Sequence, residues 1–213
     1  MRIEAIEATR SPTGKLRLRF GDGSSLMVYP AVIAEHRLYV GMELSQEELE
    51  SVVRSAAQVA TRERAVRIIS ATAVTEKELR HRLRQKGEQE EQADRAVDWL
   101  KDLNLLDDRR AAESVVFQGI SKGYGEARLR QMLYEKGVPR ELWQEVLAEL
   151  PSPHEGIRAF LTKRFRGKVP DQQEQKRATD ALLRRGHKWS DIRLVMEEFA
   201  SESYDVEEYA YDD

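Results

Sequence analysis

A chain of 213 residues with 34% charged and only 7% aromatic side chains has too little apolar material for one large core, which points to small units with ionic surfaces. The absence of cysteine excludes disulfides and thiolate metal sites, and no apolar run approaches the ~20 residues of a membrane span. The formal charge of −3 hides a division, because eight acids and no base lie from Glu197 to Asp213, leaving a body with 35 bases against 30 acids. The N-terminal MRIEAIEATR lacks the apolar core of a signal peptide, so a cytoplasmic location is expected.

The first sixty residues predict a small sheet with a helical cover. Ile3 and Ala5 alternate with charged neighbours, and KLRLRF (Lys15 to Phe20) places Leu16, Leu18 and Phe20 on one face, opposite Lys15, Arg17 and Arg19. SPTG and GDG are turn chemistry, so a β-hairpin or three-stranded sheet follows. So small a sheet needs a cover, expected from a helix entered near Pro30, AVIAEHRLYV, and ended by Gly41. Ser45 to Glu48 then reads as a capping box, opening a helix with Leu49, Val52, Val53 and Ala56 that either runs through or breaks near Thr61.

Beyond it one pattern recurs. LRHRLRQKG (Leu79 to Gly87) returns as LRQMLYEKG (Leu129 to Gly137) and, more weakly, as ATDALLRRG (Ala178 to Gly186). After each glycine the same four offsets are apolar: Ala93, Ala96, Val97, Leu100; Trp143, Val146, Leu147, Leu150; Ile192, Val195, Met196, Phe199. That spacing is one face of a helix, and the glycine suits a left-handed helix end. Three tandem three-helix units of about 45 residues result, their boundaries expected at 61–107, 108–150 and 154–200, after an N-terminal domain of residues 1–60. The fold class is mainly α, a curved elongated array of helical units; residues 201–213 have the acidic, apolar-poor composition of a disordered tail.

Within the units, Thr75 to Glu78 is a capping box, Asp107 or Asp108 caps the next unit, and Lys77, Arg80, His81 and Arg84 form a stripe turned away from Leu79 and Leu83. In SKGYGEARLRQML, Gly123 and Gly125 bracket Tyr124 at a helix entrance. Backbone N–H groups with Lys122 suit a phosphate or carboxylate there; the alternative is a plain turn with Tyr124 packed on a neighbour. From Arg158 to Arg193 there are eleven bases against four acids, with Lys163, Arg164, Arg166 and Lys168 clustered outward and Lys176, Arg177, Arg184, Arg185 and Lys188 extending the surface.

Nothing in the sequence converges as a catalytic or metal site. His36, His81, His154 and His187 lie far apart, and there is no phosphate loop, dinucleotide fingerprint or nucleophile elbow, so no enzyme, cofactor or metal is expected. A basic array of modules suits a long partner, either a nucleic acid gripped at its phosphates or a protein filament with acidic grooves.

The runs TEKELRHRLRQKG, LKDLNLLDDRRAAESVV, KGYGEARLRQMLYEKGV, KRFRGK and LLRRGHKWSDIRLVM, in this order, resemble the RecX regulators of recombination over residues 63 to 199. Asn104 stands where that family usually has glycine before LLDD, and Ala111 where an aromatic is frequent. The resemblance implies a non-enzymatic modulator of the RecA recombinase, working in DNA repair, homologous recombination and the SOS response. Such proteins lie in the groove of the RecA–DNA filament and limit its ATPase, strand-exchange and coprotease activities. Carried over by charge and motif position, the contact residues expected are Arg80, Arg84, Lys122, Tyr124, Arg128, Arg130, Arg164, Arg166, Arg184 and Arg185. A monomer is expected, with single- or double-stranded DNA as a secondary partner; the runner-up is a helical-repeat protein that binds DNA without sequence preference.

Overall fold

Alternation around Leu18 builds the first layer. In the computed structural model, which describes residues 1–10, 14–166 and 168–208, strands β1 (Ile3–Ala8), β2 (Leu16–Phe20) and β3 (Ser25–Val28) form an antiparallel sheet in the order β1-β2-β3. Leu18 pairs with Ile6 on one side and Leu26 on the other; Leu18 and Phe20 are buried as the alternation predicts, Leu16 is half-buried, and Val28 of β3 is buried with them. Asp22 makes the β2–β3 turn by accepting hydrogen bonds from the Ser24 N–H (2.9 Å) and hydroxyl (2.7 Å). Ser11, Pro12 and Thr13 of the other expected turn lie outside the described residues.

The cover differs from expectation. Helix α1 (Pro30–Glu35) stops six residues short of Gly41, because Arg37 takes the left-handed conformation (φ 51°) and the Leu38 N–H returns to the Ile33 carbonyl at 2.9 Å. Leu38 and Leu44 are thereby folded onto the sheet, and helix α2 (Gln46–Ala71) completes the core with Val52 and Ala56. Both halves of the Ser45–Glu48 capping box are present.

Helix α2 is continuous for 26 residues, about 39 Å at 1.5 Å per residue, so the boundary expected between residues 60 and 61 falls inside a helix. No glycine or proline interrupts it, and Thr61, fully buried with its hydroxyl 2.7 Å from the Glu88 carboxylate, is held from within. The second half of α2, α3 (Glu76–Gln85) and α4 (Glu90–Asp102) are the first helical triplet. The second comprises α5 (Asp108–Ser121), α6 (Glu126–Glu135), and a 3-10 turn at Arg140–Leu142 leading into α7 (Trp143–Ala148). The third is α8 (Pro153–Phe165), α9 (Gln172–Arg184) and α10 (Trp189–Glu208).

The repeated residues share one environment. Leu79, Leu83, Leu129, Leu133, Ala178 and Leu182 are all at most 1% exposed, each large side chain contributing roughly 1.5–3 kcal/mol by burial. Gly87, Gly137 and Gly186 have φ of +88°, +69° and +87°, and after each the next N–H bonds back to the leucine four before the glycine, Leu83, Leu133 or Leu182. Asn104 plays the same part after α4 with φ 54°, a conformation that asparagine visits more readily than other residues with a side chain. Asp107 caps α5 by accepting from Arg109 and Arg110.

The acidic segment expected to lack structure from residue 201 instead continues α10 as far as Glu208. With no glycine or proline there, propagating a formed helix requires ordering only one residue per added hydrogen bond. The rest of that segment, 209–213, lies outside the described residues. Two compact units result: Met1–Thr72 with Glu78–Leu106, and Ala73–Lys77 with the chain from Asp107 onward. No helix among the described residues is long and apolar enough to cross a membrane.

Candidate functional site

The basic stripe of α3 is largely tied down inside the first unit. Arg80 Nε donates to Asp94 at 2.8 Å and its Nη2 lies 3.8 Å from Asp98, both on α4; Arg84 Nη1 is 3.2 Å from Glu90. These pairs set α4 against α3 and reduce the charge the stripe can offer a partner. His81 and Arg84 remain exposed.

In the second unit the Gly123–Tyr124–Gly125 bend is a joint. The N–H groups of Gly125 and Ala127, free donors in an isolated helix start, donate to the carbonyls of Arg185 (2.9 Å) and Gly186 (3.2 Å) at the end of α9. They are taken by the chain itself, and the phosphate-cradling reading falls. Contact is main chain on main chain: a methyl carbon on Gly125 would come within 2.4 Å of the Gly186 carbonyl oxygen, and one on Gly186 within 2.4 Å of the Arg128 nitrogen. Tyr124 packs on the core of the second triplet, as the plain-turn alternative requires.

Five expected contact residues meet at this joint: Lys122, Tyr124, Arg128, Arg130 and Arg185. Arg185 reaches across to the Lys122 carbonyl (2.9 Å) while its guanidinium lies over the Phe160 ring at 5.0 Å. Arg128 sits 5.9 Å from the Tyr124 ring centre and 3.8 Å from Glu135. Arg130 pairs with Glu126 at 2.8 Å, and Lys188 approaches the same carboxylate at 3.4 Å; these partners hold the Glu126 carboxyl below its ordinary range, Arg130 most strongly. His187 is buried beside them with Nε2 3.2 Å from the Gly123 carbonyl, so that nitrogen carries the hydrogen, and burial pushes the ring's pKa down. Its Nδ1 is buried without a partner among the described residues.

The third triplet offers the freer cations. Arg164, in the last turn of α8, and Arg184, at the end of α9, are exposed, and neither has an ion pair among the described residues. Arg166 ends α8 in the left-handed conformation (φ 52°), also exposed and unpaired among those residues. Gly167 of the KRFRGK run lies outside the described residues. Among the described residues from Asp107 onward, three exposed aromatics fall outside the expected contact set: Phe117, Tyr134 and Trp189 are 73%, 67% and 57% exposed. Large unburied aromatics are the side chains that most often anchor protein interfaces, and their departure from the core offsets was the available signal. No three His, Asp or Glu side chains among the described residues cluster as metal ligands.

Comparison with known proteins agrees with this architecture. A family model described as RecX, first three-helix domain, matches residues 62–100, and one described as RecX, second three-helix domain, matches 107–147. The regulatory protein RecX of Clostridium acetobutylicum is 27% identical over 209 residues, 94% of this chain and 97% of its own. That of Vibrio parahaemolyticus is 33% identical over 145 residues, 67% of this chain and 94% of its own. A crystal structure of regulatory protein RecX superposes with a TM-score of 0.66 over 92% of this chain and 98% of the other, at 21% identity. The RecX structure from Lactobacillus salivarius gives 0.59 over 68% and 97%, also at 21% identity, a likeness of fold.

Proposed function

Because the chain belongs to the RecX family, we propose that it is a non-enzymatic modulator of the RecA recombinase that binds in the groove of the RecA–DNA filament. Bound there, it limits filament ATPase, strand exchange and coprotease activity, acting in the cytoplasm as a monomer. The three helical triplets act as successive modules, and several weak module contacts add through avidity along a regular partner.

The observation that carries the reading is the division of labour among the cations. Arg80 and Arg84 of α3 and Arg128, Arg130 and Arg185 at the joint are occupied within the chain, whereas Arg164, Arg166 and Arg184 stand exposed and unpaired among the described residues. Free cations steer a protein toward an acidic partner and complement it on contact. Arg164→Glu and Arg166→Glu are each expected to weaken filament binding by more than about 1 kcal/mol. Arg80→Glu is expected to act chiefly through its Asp94 partner on the stability of the first unit.

The decisive experiment is RecA ATPase on single-stranded DNA with substoichiometric amounts of the protein. Suppression far below one molecule per RecA supports capping or destabilising of filaments, and no suppression at any ratio rejects the proposal. Binding to bare single-stranded DNA and to the filament at the same salt separates this reading from sequence-independent DNA binding, which predicts no filament preference.

A further inference from the structure

The first unit contains a second concentration of positive charge to which none of the expected contact residues belongs. A cleft of ≈ 500 Å³ is lined by Lys15, Arg64, Arg67, Arg82 and Lys86, with Tyr29 at one wall and Ala60, Ile68 and Ala71 as an apolar floor. The fold assembles it from four places. Lys15 precedes β2, Tyr29 follows β3, the floor and two arginines recur along one face of α2, and Arg82 and Lys86 lie one turn apart at the end of α3.

Among the described residues, five cations and no acid line this cleft. Two are tethered from behind: Arg64 Nε lies 2.7 Å from Glu88, and Arg82 pairs with Glu78. The other three are not neutralised. Lys15 lies 5.1 Å from the Tyr29 ring centre, Arg67 and Lys86 are exposed, and none of the three has an ion pair among the described residues. Like charges gathered around a concavity repel one another, and an anionic occupant relieves that cost.

We propose that this cleft binds the phosphodiester backbone of a nucleic acid, as a site separate from the surface of the third triplet. The hydrogen-bonding inventory selects this partner over an acidic polypeptide. Apart from the Tyr29 hydroxyl, the lining side chains offer donors only, ammonium and guanidinium groups. A phosphodiester brings acceptors only, so all its groups are served. An extended peptide also brings a backbone N–H at nearly every residue, and the apolar floor has nothing to receive them. With Tyr29 only 7% exposed, no ring is presented for base stacking, so the cleft grips the backbone without reading sequence.

The test measures anisotropy of fluorescein-labelled oligothymidylate with the full chain across a series of salt concentrations, without RecA, so its outcome is independent of the filament proposal. The triple variant Lys15→Gln, Arg67→Gln, Lys86→Gln is expected to bind about tenfold or more weakly at low salt and to lower the salt slope by about 2, at roughly 0.7 per lost phosphate contact. Arg67→Gln alone lowers it by about 0.7. A control with the same loss of charge, Arg37→Gln, Arg54→Gln, Arg95→Gln, uses exposed residues of this unit outside the cleft and is expected to keep the wild-type slope. An unchanged slope in the triple variant overturns the site, and so does an equal loss in the control. Polyglutamate displacing the oligonucleotide as effectively as unlabelled oligothymidylate overturns the choice of partner. Repeating the series with a duplex distinguishes the two nucleic-acid sources by their different slopes per contact, and thermal melts of each variant confirm that these surface changes leave it folded.

Discussion

Two joints in the second unit place the start of one middle helix against the glycine end of the next, but they do it with different chemistry. At the first, the Thr75 hydroxyl donates to the Lys136 carbonyl at 2.7 Å, Asp108 accepts from the Glu76 N–H at 2.7 Å, and the Lys77 side chain lies over Gly137. At the second, at the corresponding places of the repeat, the Gly125 N–H meets the Arg185 carbonyl and the backbones touch directly at Gly125 and Gly186, with the Arg185 and His187 side chains bonding to the Lys122 and Gly123 carbonyls beside the crossing. One geometric relation is reached once through side chains, which can adjust, and once through main chain, which cannot. The repeat therefore conserves a docking arrangement while the residues that realise it change, and tolerance to substitution should differ sharply between the two joints.

The largest expected effect tests that contrast directly. Gly186→Ala forces a Cβ onto the Arg128 backbone and keeps a residue with a side chain at φ +87°, so it is expected to cost about 3 kcal/mol or more. Gly125→Ala meets the Gly186 carbonyl at 2.4 Å and should cost a similar amount. Urea unfolding followed by tryptophan fluorescence measures both, since Trp143 and Trp189 belong to this unit. A Gly186→Ala protein as stable as wild type would remove the backbone crossing.

At the side-chain joint, Thr75→Val deletes the hydroxyl while keeping the shape, leaving the Lys136 carbonyl without that donor at a site only 1% exposed; a loss of about 1–3 kcal/mol is expected. Gly137→Ala should cost about 1 kcal/mol, the price of a left-handed alanine. The three nearest atoms there belong to Lys77, Cδ at 2.7 Å and Cβ and Cγ at 3.2 Å, and the outer carbons of that flexible side chain can swing aside while the Cβ needs a shift of only a few tenths of an ångström. Gly87, with nothing among the described residues within 4 Å of its would-be Cβ, isolates the conformational cost alone. The three alanine variants measured together separate cap conformation from crossing: similar losses at 87 and 137 with a much larger one at 186 sharpen the comparison, and three equal losses break it.

What could be read beforehand follows from which signals are local. The capped middle helices were legible because a 3.6-residue period and a left-handed glycine are encoded within about fifteen residues. The run of α2 through Thr61 was not, because the apolar face serving the sheet and the one serving the first triplet join with no residue marking the change. Arg37 gave no sign that it would turn left-handed and end α1, since any non-glycine residue is a poor candidate for that conformation. The glycines around Tyr124 announced a bend, yet whether the freed N–H groups face solvent or a neighbour is decided by residues sixty positions later, Arg185 and Gly186. The cleft of the first unit was invisible for the same reason, its cations being drawn from separate stretches of the chain.

The smallest effect concerns pH, and it again sets the main-chain joint apart. His187 is buried in it, with Nε2 toward the Gly123 carbonyl, and its pKa lies below the ordinary 6.5 mainly through burial. The neighbouring Arg185 adds to that shift, while the Gly123 hydrogen bond and Asp191 oppose it. The unfolded chain therefore takes up a proton first as pH falls below 6.5, so the stability His187 contributes is complete above that value and is lost progressively down to the folded pKa. His187→Gln keeps an N–H to offer the Gly123 carbonyl but cannot titrate. Urea midpoints at pH 7.5 and pH 5.0 are expected to fall less in this variant than in the wild type, by a difference that Thr75→Val, at the other joint, does not share. Equal falls in the wild type and His187→Gln would mean that acid acts on carboxylates elsewhere and that this imidazole takes no part in holding the joint closed.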